Sequence, residues 1–164
     1  MNRLLLSIAF SFFLSPVFAQ GPAVLSVREQ ATVVDGWLDD RIQQVLPALM
    51  TETGIDFWIV VSREYNEDPV IRTLLPATWH AARRRTILVM YQPSSNAPVE
   101  TYAVARYDVG KSFKKAWNPE AQPDQWKALL EIIEAKKPKR IGHRPEDTGL
   151  QGVSTAFVPD VRQG

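Results

Sequence analysis

The sequence predicts an α/β domain with three layers, in which a mixed β-sheet is flanked by helices on both faces. Two observations predict this fold class. Residues 55–61 and 86–91 form apolar runs rich in β-branched side chains, which is typical of strands buried on both faces. Segments with helical spacing of apolar residues alternate with these runs along the 164-residue chain, and such alternation favours a three-layer arrangement.

The first helix is predicted to begin at Asp35, whose carboxylate can cap it, and to end at Gly54, where a left-handed residue can close it. Pro47 lies inside this helix, so we expect a kink or a break there. The apolar side chains that predict the helix recur at three- and four-residue spacing: Leu38, Ile42, Val45, Leu46, Leu49 and Met50.

The centre of the chain is predicted to contain a strand, an irregular helical segment and a β-hairpin. The strand covers residues 55–61, and the helical segment covers residues 70–82. The hairpin joins a strand at 86–91 to a strand at 99–107 through a loop rich in Pro, Ser and Asn.

The last regular elements are a helix and a short strand. Asp124 opens an amphipathic helix, which closes at Pro138, and residues 139–142 start a strand. We expect Trp117, in the polar connection before this helix, to be exposed. One face of the helix is predicted to pack on the sheet through Trp126, Leu129, Leu130 and Ile133.

The ends of the chain have a different character from its centre. Residues 1–19 predict a signal peptide, with Arg3 before an apolar stretch too short for a membrane span; an uncleaved anchor is the alternative. Residues 20–27 are predicted to be a leader, residues 28–142 the domain, and residues 143–164 an irregular tail. We therefore expect an exported protein, periplasmic or secreted, without a membrane span after cleavage.

The composition argues against some classes of function. Removal of the signal peptide takes away Arg3 and leaves equal numbers of basic and acidic residues, which argues against a general nucleic-acid or membrane-surface binder. The chain has no cysteine, so its stability must come from its core rather than from disulfides.

The sequence contains few residues that could form a catalytic or metal-binding site on their own. The sequence has two histidines: His143 has a usable metal-ligand spacing with Glu146 but lies in the irregular tail, while His80 is expected to be a surface or packing residue. Arg83, Arg84 and Arg85 suggest either a nucleic-acid contact or, as we favour, a solvated edge.

The best candidate for a recognition site follows the first strand. Arg63, Tyr65, Asn66 and Asp68 combine a guanidinium, a phenol and an amide, which together can orient a carboxylate or a peptide terminus. Ligands in open α/β sheets bind beyond the carboxyl ends of strands. The alternative is a hydrogen-bonded turn in which Asp68 caps the next helix.

These residues also carry a family resemblance. The chain resembles the amino-terminal domain of creatinase/prolidase-like metallopeptidases, which include Xaa-Pro aminopeptidases and dipeptidases. The resemblance covers roughly residues 26–142, and the strings that carry it are residues 54–69, 75–79 and 82–89.

The resemblance implies a noncatalytic domain that provides oligomer contact and partial closure of an active site. It implies a homo-oligomer, or a separate catalytic domain, as partner, and a peptide as a further ligand. In that family two divalent metal ions are held by two Asp, one His and two Glu of the catalytic domain. None of these ligands can be placed on this sequence, so no cofactor and no catalytic residue is assigned to this chain.

Other interpretations stay open. A free-standing secreted module for small-peptide binding or assembly is the main alternative, and an independent hydrolase is less favoured. The tail after Gly142 does not resemble the expected continuation of the family, which suggests a truncated, frameshifted or incompletely annotated gene. A surface meant for the catalytic domain would then be exposed, which predicts self-association.

Overall fold

A computed structural model describes residues 24–64, 67, 69–143 and 154–157. The first helical region has three parts: helix α1 at Val27–Asp40, a π-helical turn at Arg41–Val45, and helix α2 at Leu46–Thr53. Its start differs from the prediction, because Ser26 rather than Asp35 caps the helix in a reciprocal capping box with Glu29. Asp35 lies inside α1 and accepts a hydrogen bond from the Ala77 N–H at 2.8 Å.

A kink or a break was expected at Pro47, and the α-helix is interrupted just before this residue, although the helical region continues through it. The interruption is the π-helical turn, where the Leu46 N–H bonds to the Arg41 carbonyl, five residues back. The wider turn accommodates a residue that has no N–H and whose ring crowds the carbonyl four residues earlier. Gly54 closes α2 with φ of 66°, as predicted.

The remaining elements are five strands and two helices placed along the described chain, with a sixth strand near its end. The bounds are β1 at Phe57–Arg63, α3 at Ile71–Leu74, β2 at Arg85–Tyr91, β3 at Glu100–Val104, β4 at Lys114–Lys115, α4 at Gln125–Lys136, β5 at Arg140–His143 and β6 at Ser154–Phe157. The predicted helical segment at 70–82 is thus reduced to one turn, and the predicted strand at 99–107 ends at Val104.

The described strands form one mixed sheet in the order β4-β3-β2-β1-β5-β6. β1 pairs antiparallel with β2 and parallel with β5, and β2 pairs antiparallel with β3, as a hairpin should. The pairing of β6 with β5 corrects the expectation that the tail after residue 142 contains no closing strand. Among the described residues no helix is long and apolar enough to cross a membrane.

Helices cover both faces of the sheet, so the predicted α/β class with a mixed sheet is confirmed. One core joins α1 and α2 to the even-numbered side chains of β1 and β2, such as Val60 and Leu88. The other joins Ala128 and Leu129 of α4 to odd-numbered ones such as Ile87. Strand alternation alone produces this division, because successive side chains point to opposite faces.

Two details of the α4 layer differ from the prediction. Trp117 is buried against this core, with 8% of its surface exposed, where an exposed side chain was expected. Trp126 and Leu130 were expected to pack on the sheet, but they remain 47% and 50% exposed. Leu129 is buried and Ile133 packs against this core, as predicted, and Ala128 is buried beside them. Gln125, in the first turn of the helix, donates to the Arg85 and Val104 carbonyls.

The sheet leaves no room for a side chain at Gly142. A Cβ there would lie 2.8 Å from Ile55 Cδ1, whereas a Cβ at Gly36 in α1 would meet nothing within 4 Å. We predict that Gly142→Ala lowers the free energy of unfolding by about 1–3 kcal/mol through overpacking. Gly36→Ala should raise it by about 0.5–1 kcal/mol, because alanine favours the helix.

Urea unfolding of the two variants, followed by far-UV circular dichroism, measures both changes. Both variants replace glycine with alanine, but the expected changes in the free energy of unfolding have opposite signs. Equal effects in the two variants would contradict the close packing of β5 against Ile55.

Candidate functional site

Three central strands meet at one end of the sheet. β1 ends at Arg63, β2 begins at Arg85, and β3 ends at Val104, two residues before Arg106. Because β2 runs antiparallel to both neighbours, these three positions lie at the same edge. This is the edge beyond the carboxyl end of β1, where the sequence placed its candidate recognition site.

The strand register brings three arginines into one line across the sheet. Arg63 is the direct partner of Arg85 on β1 and β2. The ladder of β2 with β3 ends at the pair Ile87–Val104, and Arg85 and Arg106 each lie two residues beyond that pair. Directly opposed residues on antiparallel strands have Cβ atoms about 4.5–5.5 Å apart. We call Arg63, Arg85 and Arg106 the arginine row.

The row lies on the face that α4 covers, and two of its members stack on tryptophans of that layer. The Arg85 Cζ is 5.0 Å from the ring centroid of Trp126, and the Arg106 Cζ is 5.8 Å from that of Trp117. Such cation–π contacts fix the plane of a guanidinium. All three arginines are exposed, so their N–H groups face solvent.

The turn beside the row is built from the rest of the arginine triplet. Arg83 stacks on Trp79 and Tyr107, with its Cζ 5.2 Å and 6.0 Å from the two ring centroids. Arg84 has φ of 51°, a left-handed conformation that is costly for a residue with a Cβ. Its carbonyl accepts a hydrogen bond from the Glu64 N–H at 2.8 Å, which closes the connection between β1 and β2.

Two described carboxylates near this edge are engaged with other groups. Glu67 pairs with Arg72 at 3.5 Å and accepts a hydrogen bond from the Ala82 N–H. Asp124 caps α4 by accepting from the Trp126 and Lys127 N–H groups. Within the described part of the chain, no carboxylate forms an ion pair with the arginine row.

The arginines of this edge suit binding rather than proton transfer. A guanidinium donates hydrogen bonds in a planar fork but does not act as a base. Ser62, next to Arg63, is fully buried, and its Oγ has no hydrogen-bond partner among the described residues. It therefore lacks the adjacent base that activates a nucleophile. The described residues include no group of three or more His, Asp or Glu arranged to hold a metal ion.

The residues singled out from the sequence have different outcomes. Arg63 is at the edge and exposed, as predicted. Tyr65, Asn66 and Asp68 lie outside the described residues, as does Glu146, so their roles stay predictions. His80 is exposed, in agreement with a surface position. Arg83, Arg84 and Arg85 are exposed, which fits the solvated edge that was favoured over a nucleic-acid contact.

Sequence reasoning missed Arg106 and the two tryptophans of the row, and treated Arg85 only as part of a charged triplet. The signal for Arg106 was available in the hairpin, because Arg85 begins β2 and Arg106 lies two residues beyond the end of β3. No signal in the sequence indicates that Arg63 lies opposite Arg85, because a long connection joins β1 to β2 and does not determine their register.

A second charged cluster lies at the opposite end of the sheet. Lys136, at the end of α4, pairs with Glu100 of β3, which also accepts a hydrogen bond from the Tyr102 hydroxyl. These contacts lower the pKa of Glu100 and raise the pKa of Lys136, whereas burial raises the pKa of Tyr102. The Lys136 ammonium also lies over the Tyr91 and Tyr102 rings. Every charge here has a partner, so the cluster anchors α4 to the sheet.

Comparison with models of protein families, with curated proteins and with solved structures gives no match for this chain.

The Glu100 cluster generates a pH prediction. Because the folded-state pKa of Glu100 is lowered, its contribution to stability is present above the ordinary value of 4.5 and is lost as the pH falls through the folded value. We predict that Glu100→Gln lowers the free energy of unfolding by about 0.2–1 kcal/mol at pH 7. The deficit should shrink progressively below pH 4.5.

Thermal unfolding of both proteins across pH 3–7 measures this difference. Glu120→Gln is the matched control, because Glu120 is exposed and forms no described ion pair. A deficit that is the same at every pH would show that Glu100 stabilises the fold by packing rather than by charge.

Proposed function

We propose that this chain is a noncatalytic amino-terminal domain of the creatinase/prolidase type, which serves an exported Xaa-Pro peptidase through subunit contact and active-site closure. The sequence resemblance over residues 26–142 motivates the proposal. In such a protein the metal-assisted chemistry belongs to a separate catalytic domain, and this domain shapes access to it.

The structural observation that supports a contact role is an exposed apolar stripe along the first helical region. Val33, Trp37, Val45 and Leu49 recur at multiples of four residues, beside the buried positions that form the core. Trp37 is 60% exposed and Val45 is 57% exposed. The stripe extends over 16 residues, about 24 Å of helix.

Arg41 falls within this line of positions, and its guanidinium donates a hydrogen bond to the Thr73 carbonyl of α3. Exposed apolar side chains over this length of helix are typical of an interface. We assign the stripe to a second copy of the chain, because the same surface patch on two copies can pack together about a two-fold axis.

We predict that the purified protein self-associates and that Trp37→Glu makes it monomeric, because the new carboxylate cannot be buried unpaired in an apolar interface. Sedimentation velocity across a hundredfold concentration range measures the oligomeric state. Gln43→Glu is the control, since Gln43 is exposed on the same helical region and gains the same charge. A monomeric wild-type protein, or an unaffected Trp37→Glu oligomer, would remove the stripe from the interface.

A noncatalytic role also predicts no peptidase activity from this chain alone. We expect no release of product from an Xaa-Pro dipeptide when the protein is incubated with Mn²⁺ or Zn²⁺. Product is measured by chromatography, and a parallel sample with chelator reports metal-independent background. Metal-dependent cleavage that co-purifies with the chain would overturn the proposal.

A second candidate function is a free-standing module that binds small peptides. The arginine row favours it, because three exposed guanidiniums without a described counter-charge suit an anionic ligand better than an apolar partner. The two candidates differ in their decisive measurement: the first requires an interface at the stripe, and the second requires a ligand at the row.

A further inference from the structure

The arginine row places like charges side by side, which opposes folding. Arg63 and Arg85 are direct partners on neighbouring strands, and Arg106 extends the same line. Like charges opposed across a strand pair are destabilising. Within the described part of the chain no carboxylate pairs with them. The arrangement therefore costs stability unless an anion binds to it.

The geometry of the row suits a planar oxyanion. Trp126 and Trp117 hold two of the guanidiniums by their faces, which leaves the N–H edges available to solvent. An Arg fork held in this way donates two parallel hydrogen bonds to one carboxylate. Strands in a sheet are about 4.8 Å apart, so the three arginines span roughly 10 Å.

The size and surroundings of the row identify the class of ligand. Roughly 10 Å accommodates the carboxylates of two or three residues of an extended peptide. Trp126, which is half exposed beside Arg85, offers an apolar surface to a neighbouring peptide side chain. The near-neutral charge of the whole chain lacks the broad positive field that a long polyphosphate backbone requires.

We propose that Arg63, Arg85 and Arg106 form a binding site for the carboxylates of a short peptide. The carboxylates come either from acidic side chains or from a peptide carboxyl terminus, and both present the same planar oxyanion. The site concerns this edge of the sheet alone, so it does not require the apolar stripe to be an interface or a peptidase domain to be present.

Calorimetric titration of the full chain tests the proposal with three capped or partly capped peptides. Acetyl-tetraglutamate amide carries only side-chain carboxylates, acetyl-trialanine carries only a terminal carboxylate, and acetyl-tetraglutamine amide carries none. We expect one or both of the first two to bind and the third not to bind. Which of the two binds more tightly identifies the source of the carboxylate.

Substitutions locate the binding. Arg85→Gln should weaken the binding about tenfold or more, because it removes a charge-assisted pair of hydrogen bonds. Arg85→Lys should also weaken it, since an ammonium keeps the charge but loses the fork and the stacking. Arg28→Gln, a change of an exposed arginine in α1, is the charge-matched control and should leave the binding within twofold.

The unliganded protein provides a second readout that a merely structural role would not give. Arg63→Gln relieves the repulsion and should raise the thermal midpoint by about 1–4 °C. The same variant should weaken peptide binding. A variant that binds more weakly but unfolds at a higher temperature is the expected result for a binding site whose like charges repel one another in the folded protein.

Three results would overturn the proposal. The first is no binding of either carboxylate peptide by the wild-type chain. The second is equal binding by wild type and Arg85→Gln. The third is tighter binding of a single-stranded oligothymidylate than of the glutamate peptide, which would identify the edge as a surface for a phosphate backbone. Each of these is independent of the sedimentation and hydrolysis measurements on the proposed domain function.

Discussion

The antiparallel pairing of β1 with β2 is the constraint on which the rest of this fold depends. The ladder runs without interruption from the pair Phe57–Tyr91 to the pair Arg63–Arg85. Along it, even-numbered side chains enter the core under α1 and α2, and odd-numbered ones enter the core under α4. A shift of one residue would send every apolar side chain to the wrong layer. The two cores therefore hold the register, and the register holds the arginines together at the end of the ladder.

The parts of the fold that sequence predicts well are those whose determinants are local. Gly54 closes α2 because glycine adopts the positive φ that a left-handed helix end requires, and this depends on that residue alone. Asp124 caps α4 because its side chain reaches N–H groups two and three residues away. The error at Trp117 is of the opposite kind. Polar neighbours in the chain suggested exposure, but contacts with distant residues in the α4 core bury the ring.

The candidate site also shows that local patterns can be predicted from the sequence, whereas contacts between distant residues cannot. Arg63 stood out because it ends an apolar strand, which is a local pattern. Arg85 was read as part of a solvated triplet, since nothing nearby in the chain marks it as the partner of Arg63. The hairpin register, which brings Arg85 and Arg106 to the same end of β2 and β3, could be predicted from two strands joined by a loop. The β1–β2 register could not, because the connection between these strands is long and only the completed cores select one alignment.

The two charged clusters at opposite ends of the sheet differ in whether their charges have described partners. At one end Lys136, Glu100 and Tyr102 satisfy one another, so the shifts in their pKa values report an anchor for α4. At the other end the arginines lack described counter-charges, and the burial of the two cores offsets their repulsion.

The arginine row is also mechanically connected to the rest of the fold. Trp126 stacks on Arg85 and belongs to the first turn of α4, which Gln125 ties to the Arg85 and Val104 carbonyls. A ligand that reorients the Arg85 guanidinium must therefore act on the start of α4. The far end of the same helix is anchored through Lys136. A displacement of the start of α4 would therefore act on a helix that is held at both ends.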